Sequence, residues 1–213
     1  MKILCVFVAS ALLAGSAVDA RQTPDPIDDL FARGRAAQAS VKTLSASFTE
    51  TTVSTLLREP IVASGTLVAA MPVRVVMQYT SPVVKTVALD STRLVVVWPS
   101  RGDREEINIA ETQRRVQKYF VDASLKELRE SFTLTLQSDP ARPDTHRLDM
   151  VPRRKQIAEG LDRLRIWVDR TRLVMVRMTL EYPGGESKTL ELRDIRTNIP
   201  IDERAFAVLA RGR

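Results

Sequence analysis

Thiol chemistry is nearly absent from this chain. Its single cysteine, Cys5, sits in an N-terminal apolar stretch, and no other follows. That excludes a disulfide framework, a thiolate metal site and a cysteine nucleophile in the body of the protein. Histidine is as scarce, with His146 alone. A zinc site with two or more His ligands is therefore impossible, and a Ser-His-Asp triad could be built only around His146. No Gly-x-Ser-x-Gly elbow or glycine-rich phosphate loop accompanies it, and Gly184-Gly185 reads as a hairpin turn. Adjacent carboxylates occur at Glu105-Glu106 and Asp202-Glu203, but neighbours on a strand point to opposite faces and do not converge. No enzyme, metal or cofactor signal emerges. Aromatic residues are only 5 % of the chain, so base-stacking platforms are few, and nucleic acid is not an expected partner.

Long apolar runs are also missing, apart from the first residues. Lys2 precedes an uncharged run, Ile3–Ala17, that is too short for a membrane span of about 20 residues. With Val18-Asp19-Ala20 behind it, this reads as a signal peptide cleaved near Ala20. Residues 1–20 are thus expected to be removed, leaving one exported domain over residues 21–213. The net charge is +6, spread thinly except at Arg153-Arg154-Lys155. That cluster is either a partner contact or a solvated hairpin tip.

Strand signals dominate what is present. Asp25 and Pro26 start a helix running to about Lys42. Strands follow at about 44–57, 61–70, 73–80, 83–90, 93–99 and 104–109, broken by Pro, Gly, Ser and Asp turns. Residues 110–131 switch to helical spacing, with Val116, Phe120, Leu125 and Leu128 in phase. Strands resume at 132–137, 146–152, 162–169, 173–182 and 186–195. An irregular tail closes the chain, with a short strand expected near Phe206. The fold class is α+β, a curled antiparallel sheet of about eleven strands with an N-terminal helix and a helical segment lying across it.

Several strands carry one wholly apolar face. Val73, Val75, Met77 and Tyr79 form one such stripe, and Leu94, Val96 and Trp98 another. Leu164, Ile166 and Val168 make a third, and Val174, Val176, Met178 and Leu180 a fourth. Such faces either fill a core or line a cavity. Aliphatic and methionine linings suit flexible acyl chains better than flat rings.

The order and spacing of these segments resemble the periplasmic outer-membrane lipoprotein carrier family, the LolA type. The resemblance rests on VKTLSASFTE after the first helix, on GTLVAAMPVRVVMQYTSP, on LDSTRLVVVWP, and on the closing LRIWVDRTRLVMVRMTLEYPGGESKTLELRDIRTNIPIDERAF. It implies an unclosed antiparallel barrel with a helical lid and a cavity for acyl chains. It also implies a monomeric periplasmic carrier. The cargo would be a lipoprotein or lipid, taken from an inner-membrane transporter and handed to an outer-membrane acceptor with no bond made or broken. On this resemblance the lining takes in Val73, Val75, Met77, Tyr79, Leu89, Leu94, Val96, Trp98, Leu134, Leu148, Leu164, Ile166, Val176, Met178 and Leu180, and Val116, Phe120, Leu125 and Leu128 belong to the lid. One departure stands out: Met71 occupies the place where the family has an arginine before the Pro, and Arg74 lies on the opposite face from Val73 and Val75. The cargo therefore stays open between a lipoprotein and another acylated molecule such as a glycolipid. A lipid-sensing module of the same fold is the alternative, disfavoured because the chain ends with the sheet.

Overall fold

The computed structural model describes residues 25–118 and 123–210. The expected signal peptide and Phe120 lie outside the described residues. The elements are α1 (Pro26–Ser40), β1 (Thr43–Val53), β2 (Ile61–Ala70), β3 (Arg74–Ser81), β4 (Lys85–Leu89), β5 (Arg93–Trp98) and β6 (Asp103–Asn108). After α2 (Ala110–Val116) and α3 (Leu125–Ser131) come β7 (Phe132–Gln137), β8 (Thr145–Pro152), α4 (Lys155–Ala158), β9 (Arg163–Asp169), β10 (Met175–Glu181) and β11 (Ser187–Thr197). A 3₁₀ helix, Glu203–Leu209, follows where a short strand was expected. Asp202 caps it by accepting from the Arg204 amide, and Phe206 and Leu209, three residues apart, fall on its buried side.

Local chemistry sets these boundaries. Asp25 accepts from the Ile27 amide at 2.9 Å and Pro26 takes the first helical position, which starts α1. Ser124 and Glu127 form a capping box that starts α3. The Asp90 carboxylate closes the β4–β5 turn by accepting from the Thr92 and Arg93 amides. Gly184 and Gly185, both at positive φ, turn β10 into β11.

All eleven strands form one antiparallel sheet in the order β6-β5-β4-β3-β2-β1-β11-β10-β9-β8-β7. β6 and β7 are its two edges and are not paired with each other, so the barrel is unclosed. The registers place the Asn108 end of β6 at the same end of the sheet as Thr43, and Phe132 at the opposite end, beside Val53. The segment from Ile109 to Ser131 must therefore join the two edge strands and travel from one end of the sheet to the other.

The two halves of the sheet are covered on opposite faces. On the inner face of β7–β10, Leu128 and Ala123 pack with Phe132, Met150, Leu161 and Leu164, and Phe31 of α1 joins them. On the outer face of β2–β5, Phe206 and Leu209 cover Val76, Ala88 and Val95, which are 1 %, 0 % and 0 % exposed. A third cluster, around Phe48, Leu67, Tyr79 and Leu192, holds the middle of the inner face. Phe48 and Tyr79 meet edge to face at 4.9 Å.

Candidate functional site

The apolar stripes converge. Val75, Leu89 and Leu94 stand opposite one another on β3, β4 and β5, and Met77, Val87 and Val96 form the next row. In the other half, Leu134, Met150, Leu164 and Leu180 make one row, and Leu148, Ile166 and Met178 another. Side-chain alternation puts all of these rows on the inner face, which is apolar along them.

The rows differ in what covers them. Leu134, Leu148, Ile166, Met178 and Leu180 pack against the cluster sealed by α1 and α3, so they are core on the α1 side. Val75 and Met77 pack against the Phe48 cluster. Leu89, Leu94, Val96 and Trp98 are half-buried and join none of the three buried clusters. The open part of the inner face is thus the surface of β4 and β5, bordered by β3 and by exposed Ile107 of β6.

Two residues of the expected lining are displaced. Val73 lies in the turn before β3, not on the strand, which starts at Arg74. Val176 is the extra residue of a bulge between Met175 and Arg177, which breaks the phase of the stripe. Met175 packs on the Phe48 cluster and takes the inner position instead. Of the lid residues, Leu128 is buried, Leu125 half-buried and Val116 exposed at the end of α2.

A polar spine crosses this face near the Val53 end, which the apolar pattern did not reveal. The Tyr79 hydroxyl donates to Glu50 at 3.1 Å, and Lys188 pairs with the other oxygen of Glu50 at 3.3 Å. The Lys85 ammonium stands 4.5 Å from the Tyr79 ring centroid. Burial pushes the Tyr79 hydroxyl far up from its ordinary value and the Glu50 carboxylate adds to this, so it stays protonated and donates. The signal was present as Glu50 and Lys188, charges in phase with apolar neighbours.

The outer face of β8–β11 is a lattice of charge. Asp149 accepts from Arg147 at 2.9 Å, and Glu191 pairs with both Arg142 and Arg177. Trp167 is buried within it, donating to Asp139 at 2.7 Å under the Arg177 guanidinium. The two tryptophans therefore lie on opposite faces: Trp98 on the open inner one, Trp167 on the outer.

Arg153 donates to the Arg129 carbonyl, Arg154 pairs with Glu130, and Lys155 opens α4. Arg153 lines an open depression of about 870 Å³ together with Asp28, Leu125, Lys126, Arg129 and Glu130. Arg129 also ties α3 to α1 through Asp25 and Asp28.

His146 is half-buried on β8, and its pKa is lowered by burial, with Arg170 and Arg33 adding to the effect. Glu105 and Glu106 diverge, Glu106 pairing with Arg93 and Arg104 on the outer side. Among the described residues no group of three or more His, Cys, Asp or Glu could hold a metal ion. No described helix is long and apolar enough to cross a membrane.

The sequence matches the family of the outer membrane lipoprotein carrier protein LolA over residues 39–208. The chain belongs to that family. The LolA-family match spans every strand described above. Comparison with curated proteins gives no match. Among solved structures, an uncharacterised conserved protein from Thermus thermophilus shares the fold at a TM-score of 0.52 and 8% identity, covering 85% of this chain and 93% of that one. Mycobacterium tuberculosis lipoprotein LppX aligns at 0.51 and 13% identity, covering 82% and 97%. MucB aligns at 0.50 and 12% identity over 84% of this chain and 61% of its own. At these identities the likeness is one of fold.

Proposed function

We propose that this protein is a periplasmic carrier that holds the acyl chains of a lipoprotein or lipid against its inner face. It takes them from an inner-membrane transporter and delivers them to an outer-membrane acceptor, as a monomer exported by residues 1–20. The carrying observation is the inner surface of β4 and β5, where Leu89, Leu94, Val96 and Trp98 are half-buried and join no buried cluster, while the outer side of these strands is sealed by the 3₁₀ helix. Burying about twelve methylenes there contributes roughly 10 kcal/mol before ordering costs, enough to draw a chain out of a bilayer reversibly. Binding and release need no catalytic group, in keeping with a carrier and not an enzyme.

The two tryptophans provide the test. A fatty acid brominated on its chain quenches a tryptophan only at close range. Titration should quench the wild-type protein and Trp167→Phe, and leave Trp98→Phe unquenched. No quenching in the wild type, or quenching that survives Trp98→Phe and is lost in Trp167→Phe, refutes the inner-face site.

A further inference from the structure

The exposed apolar side chains of this protein are not scattered. Of eleven large ones among the described residues, seven fall on two neighbouring hairpins at the Val53 end: Val53, Leu56, Leu57, Ile61 and Val62 on β1–β2, and Val83 and Val84 on β3–β4. Leu56 is 89 % exposed, and Val62, Val83 and Val84 are each just over half exposed. The hairpins are neighbours because β2 pairs with β3, with Ser64 opposite Ser81 at their bases. Scattered exposed aliphatics need no explanation, but a shared cluster on adjacent tips does.

We propose that these two hairpin tips insert into the surface of a phospholipid bilayer and set the open inner face against it. The occupant follows from the shape and chemistry of the patch. Protein partners are gripped by pockets and by Trp, Tyr and Arg anchors. Here the seven side chains are all aliphatic and stand on two hairpin tips and the strand ends beside them, a form suited to a soft hydrocarbon surface. The charges beside them are Arg58 and Glu59 on the first hairpin and Lys85 at the foot of the second, with Glu186 on the adjoining β10–β11 hairpin bonded to Ser54. These nearly cancel, so insertion depends on aliphatic contact more than on anionic lipid. The patch is also continuous with the candidate site. Val84 directly precedes Lys85, whose ammonium lies over Tyr79, and Trp98 ends β5 at this same end of the sheet. A bilayer touching the tips therefore sits at the rim of the inner face. This goes beyond acyl binding, and it stands or falls separately.

Sedimentation with vesicles tests it. The wild-type protein should co-sediment with vesicles of phosphatidylethanolamine and phosphatidylglycerol, and nearly as well with phosphatidylcholine vesicles. The double variant Leu56→Asp/Val84→Asp should partition at least about tenfold less. Both positions are exposed, so the variant should keep the wild-type melting temperature and the quenching of Trp98 by brominated fatty acid. Three results overturn the proposal: no vesicle binding by the wild type, binding equal in the variant, or a concentration-dependent dimer that the variant abolishes without any vesicle binding. Loss of Trp98 quenching in the wild type, with vesicle binding intact, would overturn the carrier reading and leave the docking surface standing.

Discussion

Truncating Phe206 should cost this protein more than any single change to the polar contacts around it. The ring is 5 % exposed and seals the outer side of β3–β5 over Val76, Ala88 and Val95. Removing a buried phenylalanine down to alanine costs about 3–5 kcal/mol, because the transfer term is lost and a cavity remains. The upper part of that range applies here: the floor is a hydrogen-bonded sheet that cannot collapse into the gap. The Arg74 guanidinium lies 4.5 Å from the ring centroid and holds Glu203 through two hydrogen bonds of 2.7 and 3.1 Å. Both partners of that ion pair are solvent-exposed, so its own contribution is small. For a chain of this length, each kcal/mol shifts Tm by about 2–4 °C. Phe206→Ala should therefore lower Tm by about 10 °C, whereas Arg74→Met should lower it by a small fraction of that. Calorimetry or urea unfolding of the two variants decides the matter. Equal losses would show that the tail is held by its ion pair, and a negligible loss in Phe206→Ala would refute the view that it is a structural seal. Since Phe206 lies on the face away from Trp98, the variant should also retain quenching by brominated fatty acid below its melting point.

Gly65→Ala should destabilise the sheet by about 3 kcal/mol. A Cβ there would lie 1.9 Å from the Gln78 carbonyl oxygen and 3.0 Å from the Phe48 ring, and the oxygen belongs to backbone that can yield only by unpairing β2 from β3; a melting temperature equal to wild type would refute this. Acid should weaken the β4–β5 turn in a defined window. Burial raises the Asp90 pKa, but the hydrogen bonds from Thr92 and Arg93 outweigh it and bring the carboxyl down from 3.8 to about 2. A group depressed on folding stabilises above its unfolded value and loses that contribution as pH falls through the folded one, here between about 4 and 2. Asp90→Asn should be less stable than wild type at neutral pH, with the gap closing toward pH 2 in urea unfolding; a gap that stays constant would place the effect elsewhere. Asp139→Asn should weaken the Trp167 hydrogen bond and shift the outer tryptophan's emission, leaving quenching of Trp98 unchanged.

Much of the architecture was legible because this chain marks its reversals with residues of known turn chemistry. Asp90, Gly102, Pro82 and Gly184-Gly185 punctuate alternating strands, and the observed elements follow them. The errors fall where alternation is interrupted. Val176 sits in a bulge, which period-two reading cannot see. The tail was expected as a strand because Phe206 stands among aliphatics, yet Asp202 as cap and the spacing of Phe206 to Leu209 carried the helical signal. Whether a stripe is core or open surface was not legible at all. Leu164 and Leu94 look alike in sequence, but the first is buried in a cluster with Leu128 of α3, and the second is half-buried and belongs to none of the three buried clusters. Coverage is decided by elements distant in the chain, and no local pattern encodes it.

The division of cover between the two halves leaves one apolar surface of the sheet less covered than the rest. An apolar sheet face left open is ordinarily a liability for aggregation. Here the outer face of β8–β11 carries a charge lattice, the outer face of β2–β5 is sealed by the tail, and the inner face of β7–β10 is filled by α1 and α3. Each cover removes one alternative site, and what remains is the β4–β5 surface, beside the segment that links the two edge strands. Arg74 belongs to this division as well. It is spent on the outer face holding Glu203 and Phe206, so it does not serve the inner face as a replacement for the arginine that Met71 displaces. Met71 itself is exposed at the opposite end of the sheet from the two apolar hairpins. The ion pairs that tie α3 to α1, Arg129 with Asp25 and Asp28, lie at the hairpin end.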